Sequence, residues 1–112
     1  MNSDAEKLLQ LTDKARSPFH CIKEAKSQLS EAGFLELSLG EEWKLSENSA
    51  YYVDCYGSSL VAFRIHSVKN PREGFRLSAA HTDWPCLRIK PNPECTEGKY
   101  LKLNVETYGG LI

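Results

Sequence analysis

An excess of charge of either sign is missing from this sequence. Its 14 Lys and Arg stand against 15 Asp and Glu in 112 residues, interspersed rather than clustered, for a formal net charge of -1. That balance removes the electrostatic footprint of a nucleic-acid or anionic-membrane binder. Long apolar runs are missing too, since none approaches the ~18 residues that cross a bilayer. The opening Met1-Asn2-Ser3-Asp4-Ala5-Glu6 has no basic residue and no long apolar stretch, so it does not read as a secretory signal, and a cytoplasmic location is expected. Paired cysteines are a third absence. Cys21, Cys55, Cys86 and Cys95 include no Cys-x-x-Cys, so free, partly buried thiols are expected rather than a disulfide framework. A zinc set of His81, Cys86 and Cys95 is conceivable but has no recognised ligand spacing.

What is present is an ordinary globular composition, 41% hydrophobic and 26% charged, supporting at most one complete domain at this length. Residues 4–16 predict an amphipathic helix: Ala5, Leu8, Leu9, Thr12 and Ala15 recur at three- and four-residue steps, and Ser3-x-x-Glu6 fits a capping box. Ser17 is placed to cap a second helix with Pro18 as its first residue. That helix carries Phe19, Ile22, Ala25, Leu29 and Ala32 on one face, and Gly33 is placed to stop it in a left-handed conformation. Both helices read as cover for a sheet. Residues 34–39 then partly alternate, and β-rich runs over 51–56 and 60–65 flank Gly57-Ser58-Ser59, which predicts a hairpin. Residues 67–74, with Asn70-Pro71, predict a loop. Residues 75–80 predict the strand that delivers His81. Pro85, Pro91 and Pro93 keep the next segment extended and non-helical, and 100–105 alternates as a final strand. Two helices followed by several strands give an α/β class. A sheet stopping at its last strand leaves an edge open to pairing, so the sequence reads as unfinished.

The stretch Ala79-Ala80-His81-Thr82-Asp83-Trp84-Pro85-Cys86-Leu87 carries the chemistry. A neutral imidazole binds zinc well when its ring is held in one orientation, and a nearby carboxylate is the usual device for holding it. Taken alone, His-x-Asp is a weak signal, and an ordinary half-buried histidine is the plainer reading of His81. His20 on a helix and His66 at a strand end have no acidic partner at ligand spacing. Glu41, Glu42 and Glu94 read as solvated acids, and Glu106 as a cross-strand or turn contact. Trp43, Tyr51, Tyr52 and Phe63 read as core or interface, because no basic groove accompanies them.

The chain resembles the N-terminal part of the aspartyl aminopeptidase family, the group that includes vacuolar aminopeptidase I. The resemblance is carried by Ser17-Pro18-Phe19-His20, Glu31-Ala32-Gly33-Phe34, Glu41-Glu42-Trp43 and Gly57-Ser58-Ser59-Leu60-Val61-Ala62-Phe63-Arg64. It continues through Ala80-His81-Thr82-Asp83 and the run from Pro85 to Pro93, and it closes with Val105-Glu106-Thr107-Tyr108-Gly109-Gly110. It implies the N-terminal part of a three-layer α/β/α zinc-peptidase domain over residues 1–90, with two helices and a mixed sheet, and the start of a β-rich inserted domain over 91–112. It also implies a two-zinc aminopeptidase that removes N-terminal, preferably acidic, residues from peptides and assembles as a homo-oligomer. In that pattern His81 is a zinc ligand and Asp83 the carboxylate that orients it. The other ligands and the glutamate base of the family lie beyond the terminal glycines, so the isolated chain is expected to be inactive. A non-catalytic module that pairs its strand with a full-length relative, or with a complementary chain, is the alternative. One departure falls inside the motif: Trp84 stands where the family usually has a small serine.

Overall fold

The computed structural model describes residues 3–66, 74 and 76–110. They fall in two compact units, Met1–Thr82 and Asp83–Ile112.

The first unit opens with α1 (Ser3–Lys14), which has Asp4 and Glu6 in its first turn and Lys14 in its last, the placement that the helix dipole favours. It ends two residues earlier than the periodicity predicts. No residue of α1 is buried, and Ala15, just past its end, is the one that enters the core. α2 (Pro18–Glu31) begins where its sequence dictates. Ser17 has extended backbone (φ −154°, ψ 166°) and its Oγ accepts from the His20 N–H at 3.4 Å. Pro18 follows at the position where a missing N–H costs nothing. The far end is a Schellman motif: the Gly33 N–H donates to the Ser30 carbonyl and the Phe34 N–H to the Leu29 carbonyl, each at 3.0 Å. Gly33 makes this possible at φ +81°, a region in which a Cβ would crowd the following carbonyl.

β1 (Leu35–Leu37), β2 (Ser49–Cys55) and β3 (Ser59–Ile65) form a sheet in that order. β1 pairs with β2 in parallel and β2 with β3 antiparallel, with Tyr51 opposite Phe63 and Val53 opposite Val61. This is the mixed sheet that the resemblance implies and the hairpin that the sequence predicts. Three consecutive residues of β2, Tyr51, Tyr52 and Val53, are buried. Because alternate side chains point to opposite faces, β2 is covered on both sides. On one side the Tyr51 ring meets Phe63 at 5.6 Å, and Phe63 stacks on Trp43 at 6.1 Å. Trp43 Nε1 donates to the Ser38 carbonyl at 2.7 Å and the Ser46 N–H donates to the Tyr51 hydroxyl at 2.8 Å, so the connection between β1 and β2 is pinned over that face.

On the other side α2 is tied to the sheet by Lys26, whose ammonium pairs with Glu36 at 2.7 Å and Asp54 at 3.0 Å. The Tyr52 hydroxyl donates to Glu36 Oε2 at 3.1 Å. Lys26 holds both carboxyls below their ordinary values, with the Gly57 N–H assisting at Asp54, and its own ammonium is raised in return. Carboxyls depressed in the folded state add stability above their unfolded values, 4.5 for Glu36 and 3.8 for Asp54, and that stability is lost as pH falls through the folded values. A urea midpoint followed by Trp43 fluorescence is therefore expected to drop on acidification below pH 4.5. Lys26→Met is expected to flatten that drop. The change should be modest, because all three side chains are partly solvated.

One expectation needs correction. Residues 76–80 are not a strand: they are irregular and exposed, with Leu77 92% accessible. A strand exists through its ladder to a neighbour, and none of β1, β2 or β3 pairs with this segment, whatever its β propensity. Phe75 and nearly all of the loop expected over 67–74 lie outside the described residues.

The second unit is a hairpin of β4 (Cys86–Glu97) and β5 (Tyr100–Tyr108). The expected final strand is β5. Its partner is the proline-bearing segment, read from sequence as merely extended. The turn is Gly98-Lys99, with Gly98 at φ +61°, which fits a type II′ connection. Register runs from Cys86↔Tyr108 to Ile89↔Val105 and then jumps to Glu94↔Leu103. Residues 90–93 therefore face Asn104 alone, with Asn92 at φ +51°. Pro91 and Pro93, which cannot donate to a ladder, sit inside this bulge. The boundary expected after Lys90 falls within β4, whereas the two compact units divide between Thr82 and Asp83.

Candidate functional site

His81 is the last residue but one of the first unit, and Asp83 opens the second. His81 stands in irregular backbone and is exposed, rather than half-buried at a strand end. The residue after it is anchored: Thr82 Oγ1 donates to the Ser58 carbonyl at 2.9 Å. Ser58 lies in the β2–β3 turn, which is braced where Asp54 Oδ1 accepts from the Gly57 N–H at 2.6 Å. The turn that the sequence predicted is thus what holds the backbone beside His81.

Asp83 is held within its own unit. The Tyr108 hydroxyl donates to Asp83 Oδ2 at 2.5 Å, at the short end of the range for charge-assisted O–H···O⁻ bonds. The Arg88 guanidinium lies 3.5 Å from the Tyr108 ring centroid, stacked on the ring face in the manner that suits a planar, weakly hydrated cation. The hydrogen bond to Asp83 pushes the Tyr108 hydroxyl above its ordinary value, with Arg88 opposing. The phenol is therefore kept protonated as a donor. Behind this contact the chain is tight. Gly109 has φ +77°, and a Cβ there would lie 3.3 Å from Pro85 Cα, so only glycine lets the end of β5 approach residues 83–85 this closely.

The other candidates are dispersed. His20 is exposed with Nδ1 2.8 Å from Ser17 Oγ, and His66 is exposed just past β3. Glu41, Glu42 and Glu94 are exposed, and Glu106 sits opposite Arg88 in the ladder, as a cross-strand neighbour should. Trp84 is 41% accessible. The four cysteines are free, and Cys95 Sγ points to the Lys102 carbonyl at 3.5 Å. Among the described residues no three His, Cys, Asp or Glu side chains gather as metal ligands, so the set of His81, Cys86 and Cys95 is not assembled. Zinc centres take three or four protein ligands. The described residues do not assemble a complete centre. Among the described residues, no helix is long and apolar enough to cross a membrane.

The family model described as aminopeptidase I zinc metalloprotease (M18) matches residues 11–112. The chain belongs to this family. The M18 chain is 42% identical over 109 residues to the protein named probable M18 family aminopeptidase 2 of Clostridium acetobutylicum, covering 96% of its own length and 25% of the relative's. It is 38% identical over 108 residues to the aspartyl aminopeptidase of Caenorhabditis elegans, covering 96% of itself and 23% of that protein. Its fold matches Ape4, as seen in the cryo-EM structure of the Ape4 and Nbr1 complex, with a TM-score of 0.83 at 33% identity over 95% of this chain and 21% of that one. The chain thus spans about a quarter of the length of the curated relatives it matches. The α/β class, the family and its zinc chemistry agree with what the motifs implied. Sequence reasoning missed Tyr108 and Arg88 as parts of the candidate site. Tyr108 lies in the closing motif Thr107-Tyr108-Gly109-Gly110, which the sequence marks only as part of the family resemblance.

Proposed function

We propose that this chain is the N-terminal portion of a zinc-dependent aminopeptidase acting on N-terminal, acidic residues of peptides in the cytoplasm, within a homo-oligomer. It is inactive as 112 residues alone. His81 is the zinc ligand it contributes. Asp83 accepts the free ring N–H of that imidazole, fixing its tautomer and raising the basicity of the metal-facing nitrogen. The first unit supplies part of the peptidase domain and the β4–β5 hairpin opens a β-rich second domain. The single observation that supports the reading is the M18 match across residues 11–112, in which the His81-Thr82-Asp83 motif is embedded. The anchoring of Thr82 to the β2–β3 turn agrees with it, since a ligand held on a braced backbone loses less freedom when it binds.

The test is reconstitution. Co-expression with the remaining three-quarters of a relative, such as the Clostridium acetobutylicum protein, is expected to yield release of N-terminal aspartate from a short peptide. His81→Ala in the same complex is expected to bring release to background, as loss of a catalytic-metal ligand should. An active complex indifferent to His81→Ala would sink the assignment.

A second reading, a strand-pairing module that binds a full-length relative, is favoured by one observation. The β4–β5 hairpin exposes Leu87, Ile89, Leu101 and Leu103 along one face, and a two-stranded ribbon is marginal by itself in water. A stable complex on size-exclusion chromatography that gains no activity would favour this reading.

A further inference from the structure

Within the first unit, a hollow of about 320 Å³ lies where α2 ends against the sheet. Arg64 stands opposite Ala50 in the β2–β3 ladder. By strand alternation the two share the sheet face of Tyr52 and Asp54, the face tied to α2. The hollow exists because its other walls are small: Ala32 and Gly33 at the end of α2, and Ala50 on β2. A Cβ placed on Gly33 would meet nothing within 4 Å. Among the described residues, Arg64 is the one charged side chain that lines it, and no carboxylate pairs with that guanidinium. The acids of the same face, Glu36 and Asp54, are taken by Lys26. The guanidinium is nevertheless placed, since its Cζ lies over the Phe34 ring at 5.5 Å from the centroid. Contact with a ring face leaves the in-plane N–H donors of a guanidinium unspent. Asn48 adds a neutral side-chain amide to the wall, whereas the Ser49 hydroxyl is spent on the Glu47 carbonyl at 3.3 Å.

We propose that this hollow binds a small oxyanion, a phosphate or carboxylate group held by the fork of the Arg64 guanidinium. A cation without a counter-charge sets the sign of the ligand. The planar fork, which matches two oxygens at once, sets its shape. The negative end of the α2 dipole works against an anion here only weakly, because the Leu29 and Ser30 carbonyls already accept from the Phe34 and Gly33 N–H groups. Arg64 is exposed, so water competes and the affinity belongs in the millimolar range. None of these residues belongs to the His81-Thr82-Asp83 motif, and the site stands whether or not His81 ligates zinc.

The test is an NMR titration of the 112-residue chain with inorganic phosphate, ionic strength being held constant with sodium chloride so that general screening does not change. The Arg64 Nε–H, the Asn48 side-chain amide and the Ala50 backbone amide are expected to shift together along one saturating curve. Shifts that grow linearly without saturating, or that scatter over exposed lysines instead, overturn the proposal before any variant is made. Acetate supplies the second arm. Saturation by both anions identifies an oxyanion group in general, saturation by phosphate alone identifies the phosphoryl group, and saturation by neither overturns the site. Arg64→Gln should abolish the curve. Arg64→Lys keeps the charge but loses the fork, and it should weaken binding about tenfold. Either variant binding as tightly as the unsubstituted chain overturns the proposal. Nuclear Overhauser contacts between the Tyr51 and Phe63 rings verify that the sheet survives each substitution.

Discussion

Loaded with zinc and passed through a desalting column, the 112-residue chain is expected to retain far less than one equivalent of metal. Elemental analysis of the eluate checks this. Complete zinc sites in small domains owe apparent binding energies of about 10–16 kcal/mol to several ligands acting together. Here no group of three ligand-type side chains forms among the described residues, and one exposed imidazole competes poorly with buffer and water. The same chain should show no hydrolysis of an aminoacyl anilide above background, where a working enzyme would exceed it by about a millionfold or more. Stoichiometric retention of zinc would mean that ligands converge in a way the described residues do not display. The reconstituted complex should behave oppositely, gaining metal and activity together, and His81→Ala should remove both.

The second large effect is on stability. Tyr51→Ala is expected to abolish cooperative unfolding of the first unit. The buried apolar side chains of the described residues are Ala15, Ile22, Tyr51, Tyr52 and Val53, so one aromatic is a large share of a small core. Truncating a buried aromatic ring to Ala costs about 3–5 kcal/mol, against a total of about 5–15 kcal/mol for a typical domain. The loss also removes the ring that Phe63 packs against and leaves the Ser46 N–H without the Tyr51 hydroxyl. Tyr51→Phe is the companion variant. It keeps the ring and removes only the acceptor, for about 1 kcal/mol. Urea titrations followed by Trp43 emission should therefore show a shifted but sharp transition for Phe and a broad or absent one for Ala. Equal midpoints for the two would show that Tyr51 does not hold the core.

The parts of the fold that could be read from sequence are those whose chemistry is local. Ser17 and Pro18 start α2 and Gly33 ends it through contacts within a few residues. The β2–β3 hairpin announces itself through its flanking β-rich runs and Gly57. What could not be read depends on distant partners. Residues 75–80 have strand-like composition, but composition cannot say whether a neighbouring strand is there to complete a ladder, and none pairs with 76–80. The prolines mark the segment only as extended, and Pro91 and Pro93 sit where the register jumps and no ladder bond is required. The two-residue turn Gly98-Lys99 was a legible hairpin signal that the prolines obscured. In the candidate site, His81 and Asp83 stand out as a motif, whereas the Tyr108 hydroxyl on Asp83 spans 25 residues and depends on a bulged register that no pattern in the sequence reveals.

That bulge has a consequence for how copies of this chain behave in a crowded solution. Uninterrupted stacking of identical strands, the route to fibrils, needs a straight backbone offering amide hydrogens at every second residue. β4 is bent where four residues oppose one, and two of those four have no amide hydrogen to offer. An incoming strand can dock along a short stretch on either side but cannot run the length of β4. The β4 edge therefore offers no long flat template on which further copies would accumulate, even though the hairpin displays an aliphatic face.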